Sequence, residues 1–174
     1  MSGRRCHRSS TGAATFAITS GSPWQYVVMA GPRALCGGAE FTEGNDEQDT
    51  VRASACGGRP AYISATAAAR SNPDAAVATA QKWFRRFDLD VAELRVRSVA
   101  DSRRDDTIAA ARGAGLIYLA GGDPGLLVRV LAASPGWDAG IAARRGGAAL
   151  GGPSEGARGT CRGSPRLERG RWQD

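Results

Sequence analysis

One histidine, His7, and one lysine, Lys82, are all that the 174 residues contain of either type. A zinc site needs clustered ligands, and a single histidine near the N-terminus supplies none. The four cysteines (Cys6, Cys36, Cys56 and Cys161) are scattered, with no Cys-x-x-Cys pair. No metal and no cofactor is therefore expected, and the cysteines read as free thiols in a reducing compartment. No run of 18 apolar residues is present, which excludes a membrane-spanning helix. A mildly apolar patch from Ala13 to Ile18 follows Arg4, Arg5 and Arg8, but Ser, Gly and Pro interrupt the stretch 13–30. Such a broken segment does not make a signal-peptide core, so a cytoplasmic protein is expected.

The net charge of +6 suggests a polyanion partner, but its distribution argues otherwise. Residues 1–33 carry four Arg and no acid, and residues 158–174 carry five Arg against Glu168 and Asp174. The middle, 34–157, holds 14 basic and 15 acidic residues and is nearly neutral. The basic character lies in the two tails, which carry no interleaved aromatic platform, so no nucleic-acid partner is expected. The use of arginine in place of lysine reads as genome composition rather than function.

Glycine, by contrast, is abundant at 24 residues, and one glycine cluster carries a pattern. Gly152-Pro153-Ser154-Glu155-Gly156 is Gly-x-Ser-x-Gly, and it follows the small apolar run Ala148-Ala149-Leu150. In a nucleophile elbow the turn from strand to helix is so tight that a Cβ at either flank would strike backbone. The turn lifts the serine Oγ above the sheet edge. It also aims the N–H of the next residue, here Glu155, at the place where an oxyanion forms. The competing reading is a glycine-rich surface loop, and the surrounding chain decides between them.

Residues 1–30 are rich in Ser, Thr, Gly and Arg without a clean period and read as a flexible extension, with Met29 an alternative start. Arg33 to Gly37 reads as a short buried strand ending at Gly37-Gly38. The acidic stretch Glu43 to Asp49 reads as a solvated turn, with a short helix over 46–56. Pro60 to Ala65 is a second strand. Asn72 and Pro73 open a helix as N-cap and first helical residue, and Val77, Ala80, Phe84 and Phe87 give it one apolar face. A third strand alternates through Leu89 to Val96 and belongs near a sheet edge. A helix spans Asp101 to Arg112 with Ile108, Ala109 and Ala111 inward. Leu116 to Ala120 is a continuous apolar run, as a central parallel strand covered on both faces requires. It ends at Gly121-Gly122-Asp123-Pro124, and helices follow around Leu126 to Leu131 and Asp138 to Arg145. Gly147 to Leu150 is the strand that leads to the elbow.

Strands alternating with helices predict an α/β three-layer sandwich with a mostly parallel, flavodoxin-like sheet. In such sheets sites form at the carboxyl ends of the strands. Three glycine-rich strand ends meet there: Gly37-Gly38, Gly121-Gly122 and the elbow. The domain is expected over 31–157, followed by an irregular basic tail over 158–174.

Three segments in this order resemble the motif blocks of the cyanophycinase/dipeptidase E family of serine peptidases, which shares its fold with class I glutamine amidotransferases. They are Ala34-Leu35-Cys36-Gly37-Gly38-Ala39-Glu40-Phe41, Ile117 to Pro124, and Gly152 to Ala157. The resemblance implies Ser154 as nucleophile and Gly122 with the Glu155 N–H as oxyanion hole. Gly37, Gly38, Glu40, Gly121 and Asp123 would line the substrate pocket. It implies hydrolysis of a small peptide through an acyl-enzyme, with aspartyl dipeptides or the aspartate–arginine polymer cyanophycin as substrates.

The chain departs from the family pattern in three places. Glu155 stands where the family has Ala, placing a carboxylate beside the developing oxyanion. Pro153 restricts the turn without removing the N–H that the hole needs. No histidine follows Ser154, although the family draws its general base from there. Beyond Arg158 the chain holds Gly159, Gly163 and Pro165 where a helix is due, breakers costing about 1 kcal/mol per Gly and about 3 kcal/mol per Pro. A truncation or a shifted reading frame near the elbow is the expectation, and with it impaired activity. An exposed sheet edge would then favour a homodimer. Two rivals are a glutamine amidotransferase-like domain, which would carry cysteine at the elbow, and a non-catalytic α/β binding module.

Overall fold

The computed structural model describes residues 30–36 and 40–153. The elements run β1 (Arg33–Cys36), α1 (Asp46–Ala55), β2 (Ala61–Ser64), α2 (Pro73–Phe84), β3 (Val91–Glu93), α3 (Asp105–Gly113), β4 (Leu116–Leu119), α4 (Pro124–Leu131), α5 (Pro135–Arg145) and β5 (Ala149–Pro153). The strands form one sheet in the order β1-β5-β4-β2-β3, and every described pairing is parallel. Parallel neighbours need crossovers, and the helices supply them on both faces of the sheet. The fold is thus the α/β three-layer sandwich that the alternation of elements predicts.

Side-chain alternation sorts β4 between the two outer layers. Leu116 and Tyr118 pack with Trp83, Phe84 and Val77 of α2 and with Cys56 just beyond α1. Ile117 and Leu119 pack with Ala111 of α3, Leu127 and Val130 of α4 and Ala139 of α5. All four residues of β4 are buried, as befits the middle strand of five. β3 is a sheet edge, also as its alternating pattern predicts.

Three helices start with a polar cap followed directly by proline. The side chains of Asn72, Asp123 and Ser134 accept from the N–H groups of Ala75 (3.0 Å), Leu126 (3.1 Å) and Trp137 (3.2 Å). The cap satisfies one of the orphan donors at each helix start, and proline has no N–H to orphan there. Ser134-Pro135 places the start of α5 three residues before the expected Asp138.

Other boundaries and faces differ from expectation. Asp49 is fully buried and Asn45 nearly so, so the stretch Glu43 to Asp49 is not a solvated turn. In α3, Thr107 and Ala111 point inward and Ala109 is exposed. The chain makes a 3₁₀ turn at Asp101–Arg103 before the helix begins, which shifts the inward stripe to residues 107, 111 and 114. The last strand is displaced as well. Gly147 (φ +97°) is the turn after α5, and β5 runs from Ala149 to Pro153 instead of 147 to 150. Its final residues Gly152 and Pro153 stand beside Leu35 and Cys36 of β1. The expected N-terminal extension up to residue 29 and the basic tail lie outside the described residues. Among the described residues, no helix is long and apolar enough to cross a membrane.

Candidate active site

The connection after β2 leads outward to β3, whereas the connection after β4 leads the opposite way to β5. Chains that diverge like this open a crevice at the carboxyl ends of the two strands. On the β2 side of these strand ends stand Ser64 and the 3₁₀ turn Thr66–Ala68. On the other side is Ala120-Gly121-Gly122-Asp123.

Four successive backbone N–H groups at the end of β4 have distinct fates. Ala120 N–H donates to the Ser64 carbonyl at 2.9 Å. Gly121 N–H donates to the carboxylate of Glu40, 3.0 Å from Oε1 and 3.2 Å from Oε2. Asp123 N–H donates to the Ala67 carbonyl at 2.9 Å. Gly122, between them, is exposed, and its N–H donates to no described residue. Gly122 has φ +147°, and a Cβ there would stand 2.4 Å from the Ala67 carbonyl oxygen. Only glycine fits, because both the backbone angle and the close approach exclude a side chain.

Glu40 and Phe41, described from residue 40 onward, lie against this turn. Phe41 is held at φ 59°, an angle that is strained for an aromatic residue. Its ring lies 5.2 Å from Tyr118 and 6.3 Å from Phe84, centroid to centroid. Aromatic packing thus anchors the segment that carries the Glu40 carboxylate to Gly121.

Asp123 has a local task as well. Its Oδ1 caps α4 at Leu126 N–H, and Arg129 lies 3.7 Å from its other oxygen. Of the expected pocket residues, Glu40 and Gly121 are in direct contact, and Gly122 and Asp123 continue the same turn. Gly37, Gly38, Ser154 and Glu155 lie outside the described residues. The strands leading to them end side by side, Cys36 opposite Pro153.

Beneath β5 lies a cluster that the sequence reading missed. Asp49 and Arg52 of α1 are ion-paired with both side chains fully buried. Trp83 Nε1–H donates to Asp49 Oδ2 at 2.7 Å, and the Arg52 guanidinium sits 5.5 Å from the centre of the Tyr118 ring. A Cβ at Gly151 would be 2.8 Å from Arg52 Nε and 3.0 Å from Tyr118 Cδ2, so β5 lies directly on this pair. The signal was present in the sequence. Asn45, Asp49, Arg52 and Cys56 recur at spacings of four, three and four, the period of an inward helix face, and all four are buried. A search for apolar stripes passes over a polar one. The Cys56 thiol next in this stripe is free, and burial pushes it above its ordinary range, with Arg59 partly opposing.

Among the described residues no group of three His, Cys, Asp or Glu is placed to hold a metal ion. A cavity of about 20 Å³ lies between the sheet and α3/α5, bordered by Ser64, Ile117, Thr107 and Trp137. It has room for about one water molecule and none for a peptide.

No family model matches the chain, and no curated protein matches it. Among solved structures the chain is similar to the crystal structure of a peptidase from an acI-B1 Actinobacterium, with a TM-score of 0.68 and 24% sequence identity. The match covers 75% of this chain and 56% of that one, so this chain spans little more than half the length of that protein. At this identity the likeness shows a shared fold.

Proposed function

We propose that this domain is built for serine-type hydrolysis of a peptide bond, with Ser154 as the nucleophile. Ser154 attacks the amide carbonyl, the amine leaves, and water resolves the acyl-enzyme. The N–H groups of Gly122 and Glu155 receive the oxyanion. Glu40, Gly121 and Asp123, with Gly37 and Gly38, border the pocket. Aspartyl dipeptides or cyanophycin-like chains are the substrate class that the motif resemblance favours, and the likeness to a solved peptidase agrees with a peptidase at the coarser level.

The observation that carries this reading is the Gly122 N–H. It sits at the carboxyl end of the middle strand, exposed and uncommitted among the described residues, on a turn that only glycine can make. β5, the neighbouring strand, ends at Pro153, and Ser154 is the next residue. A strand running up to the serine is what an elbow requires, and a surface loop would not.

No histidine follows Ser154 in this sequence. The one histidine of the sequence given, His7, precedes β1, so among these residues no downstream imidazole takes the serine proton. Labelling with a fluorophosphonate probe tests the reading. Slow labelling that disappears in Ser154→Ala is the expected result. Equal labelling of both proteins, or none of either, overturns it and leaves the binding-module alternative.

A further inference from the structure

We propose that Glu40 is a positioning residue that selects which N–H the β4 turn offers to an oxyanion. The inference rests on the Ser154 reading and deepens it.

A turn of successive glycines exposes more than one N–H, and an oxyanion hole needs its donors fixed before charge develops. At this turn Ala120 and Asp123 are taken by the carbonyls of Ser64 and Ala67, bonds that come with the fold. Gly121 is different. Its partner is a side chain 81 positions earlier in the sequence, and both carboxylate oxygens lie within 3.2 Å of the one N–H. A carboxylate accepting from a backbone N–H forms a charge-assisted bond, stronger than an amide–carbonyl bond. It holds the Gly121 peptide in one orientation. Gly122 is locked from the other side by the contact with Ala67, which any Cβ would violate. The two constraints together leave a single open donor in a fixed direction.

The placement of Glu40 is itself built. Phe41 accepts a left-handed backbone angle and buries its ring against Tyr118 and Phe84. That geometry brings the preceding residue over the end of β4. Glu40 thus acts through the peptide of Gly121.

Amide hydrogen exchange and probe labelling, measured on the full chain, test this. In the wild-type protein the Gly121 amide is expected to exchange at least about tenfold more slowly than that of Gly122. Glu40→Ala should remove that protection. Glu40→Gln keeps an acceptor oxygen and should restore most of it. Labelling of Ser154 should follow the same order, falling at least about tenfold in Glu40→Ala and recovering to within about threefold in Glu40→Gln. A Gly121 amide that exchanges as fast as Gly122 in the wild type overturns the clamp. Unchanged labelling in Glu40→Ala, with Gly121 protection lost, overturns the oxyanion role. A pocket residue that binds substrate directly would lose function equally in both variants, with Gly121 protection intact, and that result also refutes the proposal. A wild-type chain that does not label at all overturns the Ser154 reading and the oxyanion role with it, while Gly121 exchange still decides the clamp.

Discussion

On the α1/α2 side of the sheet the core contains a carboxylate, a guanidinium, an indole N–H and a phenol ring, all within contact of Gly151 or of one another. On the α3–α5 side it contains Ile117, Leu119, Leu127 and Val130, and two of its buried hydroxyls donate to backbone carbonyls: Thr66 to Val96 (2.6 Å) and Ser102 to Val99 (2.7 Å). One face is therefore held by area removed from water, with hydroxyls satisfied by uncharged backbone acceptors. The other spends part of its interior on an ion pair whose desolvation costs several kcal/mol per ion by general estimate. That costlier face lies under β5, the strand that leads to Ser154, and it also receives Phe41 from the Glu40 loop. Asp49 and Arg52 are three residues apart on one helix, so their pairing adds nothing to the choice of topology. The comparison teaches that the two faces should respond to mutation by different rules.

The largest expected effect is the loss of one ion from the buried pair. Arg52→Ala should destabilise by about 3–5 kcal/mol, because it strands the Asp49 carboxylate with only the Trp83 indole. Replacing both ions, Asp49→Leu with Arg52→Met, should recover part of that loss, since an apolar pair needs no counter-charge, while the Trp83 indole N–H gives up its acceptor. Urea melts of the wild type, the single variant and the double variant decide the matter. A double variant no more stable than Arg52→Ala would show that the pair is held by more than mutual compensation.

The aliphatic face should show only cavity costs. Leu127 is fully buried, and Leu127→Ala should cost about 2–5 kcal/mol, with no second substitution short of refilling the volume able to rescue it. Rescue by a polar substitution nearby would mean that this face, too, is electrostatically organised.

The same contrast explains what was legible in the sequence. β4 was readable because five apolar residues in a row admit one placement, the centre of a parallel sheet. The start of α2 was readable because Asn72-Pro73 states its own geometry. Glu40 and the Gly121-Gly122 turn were named only as members of a motif, and their pairing was not foreseen. Their contact joins residues 81 apart and depends on the order of the strands. The polar stripe of α1 was misread as solvated, because charged residues are usually outside and periodicity was sought in apolar residues alone. The end of β5 was placed too early, because glycine and proline argue against a strand locally. Parallel pairing with β1 overrides them at Gly152 and Pro153.

A smaller test uses glycines on both faces. Gly151→Ala drives a Cβ to 2.8 Å from Arg52 Nε and 3.0 Å from the Tyr118 ring, and should cost about 1–3 kcal/mol. Gly140→Ala in α5 meets only the tip of Ile117, at 3.1 Å from Cδ1, and the gain in helix propensity of about 1 kcal/mol offsets that contact. Thermal melts should therefore separate the two variants clearly, Gly151→Ala lower and Gly140→Ala near the wild type. Equal melting temperatures would mean that Arg52 yields freely and that β5 does not bear on it.

The smallest expected effect comes from an ion pair with the same chemistry as Asp49–Arg52 but in water. Arg104 grips Asp106 with two hydrogen bonds, Nε to Oδ1 at 3.0 Å and a terminal nitrogen to Oδ2 at 2.7 Å. The guanidinium and the Thr107 N–H hold the Asp106 carboxyl down at about 2, against an ordinary value of 3.8. A carboxyl depressed by folding adds stability above its unfolded value, and that stability is lost as pH falls toward the folded value. Asp106→Asn should thus lower the melting temperature slightly at pH 5, and the gap to the wild type should close as pH approaches about 2. Solvent screens this pair on all sides, so the gap should be far smaller than that of Arg52→Ala at the same pH. A gap that stays constant down to pH 2 would assign the effect of Asp106 to its helix-start position rather than to its charge. A gap as large as that of Arg52→Ala would abolish the distinction between the buried pair and the exposed one.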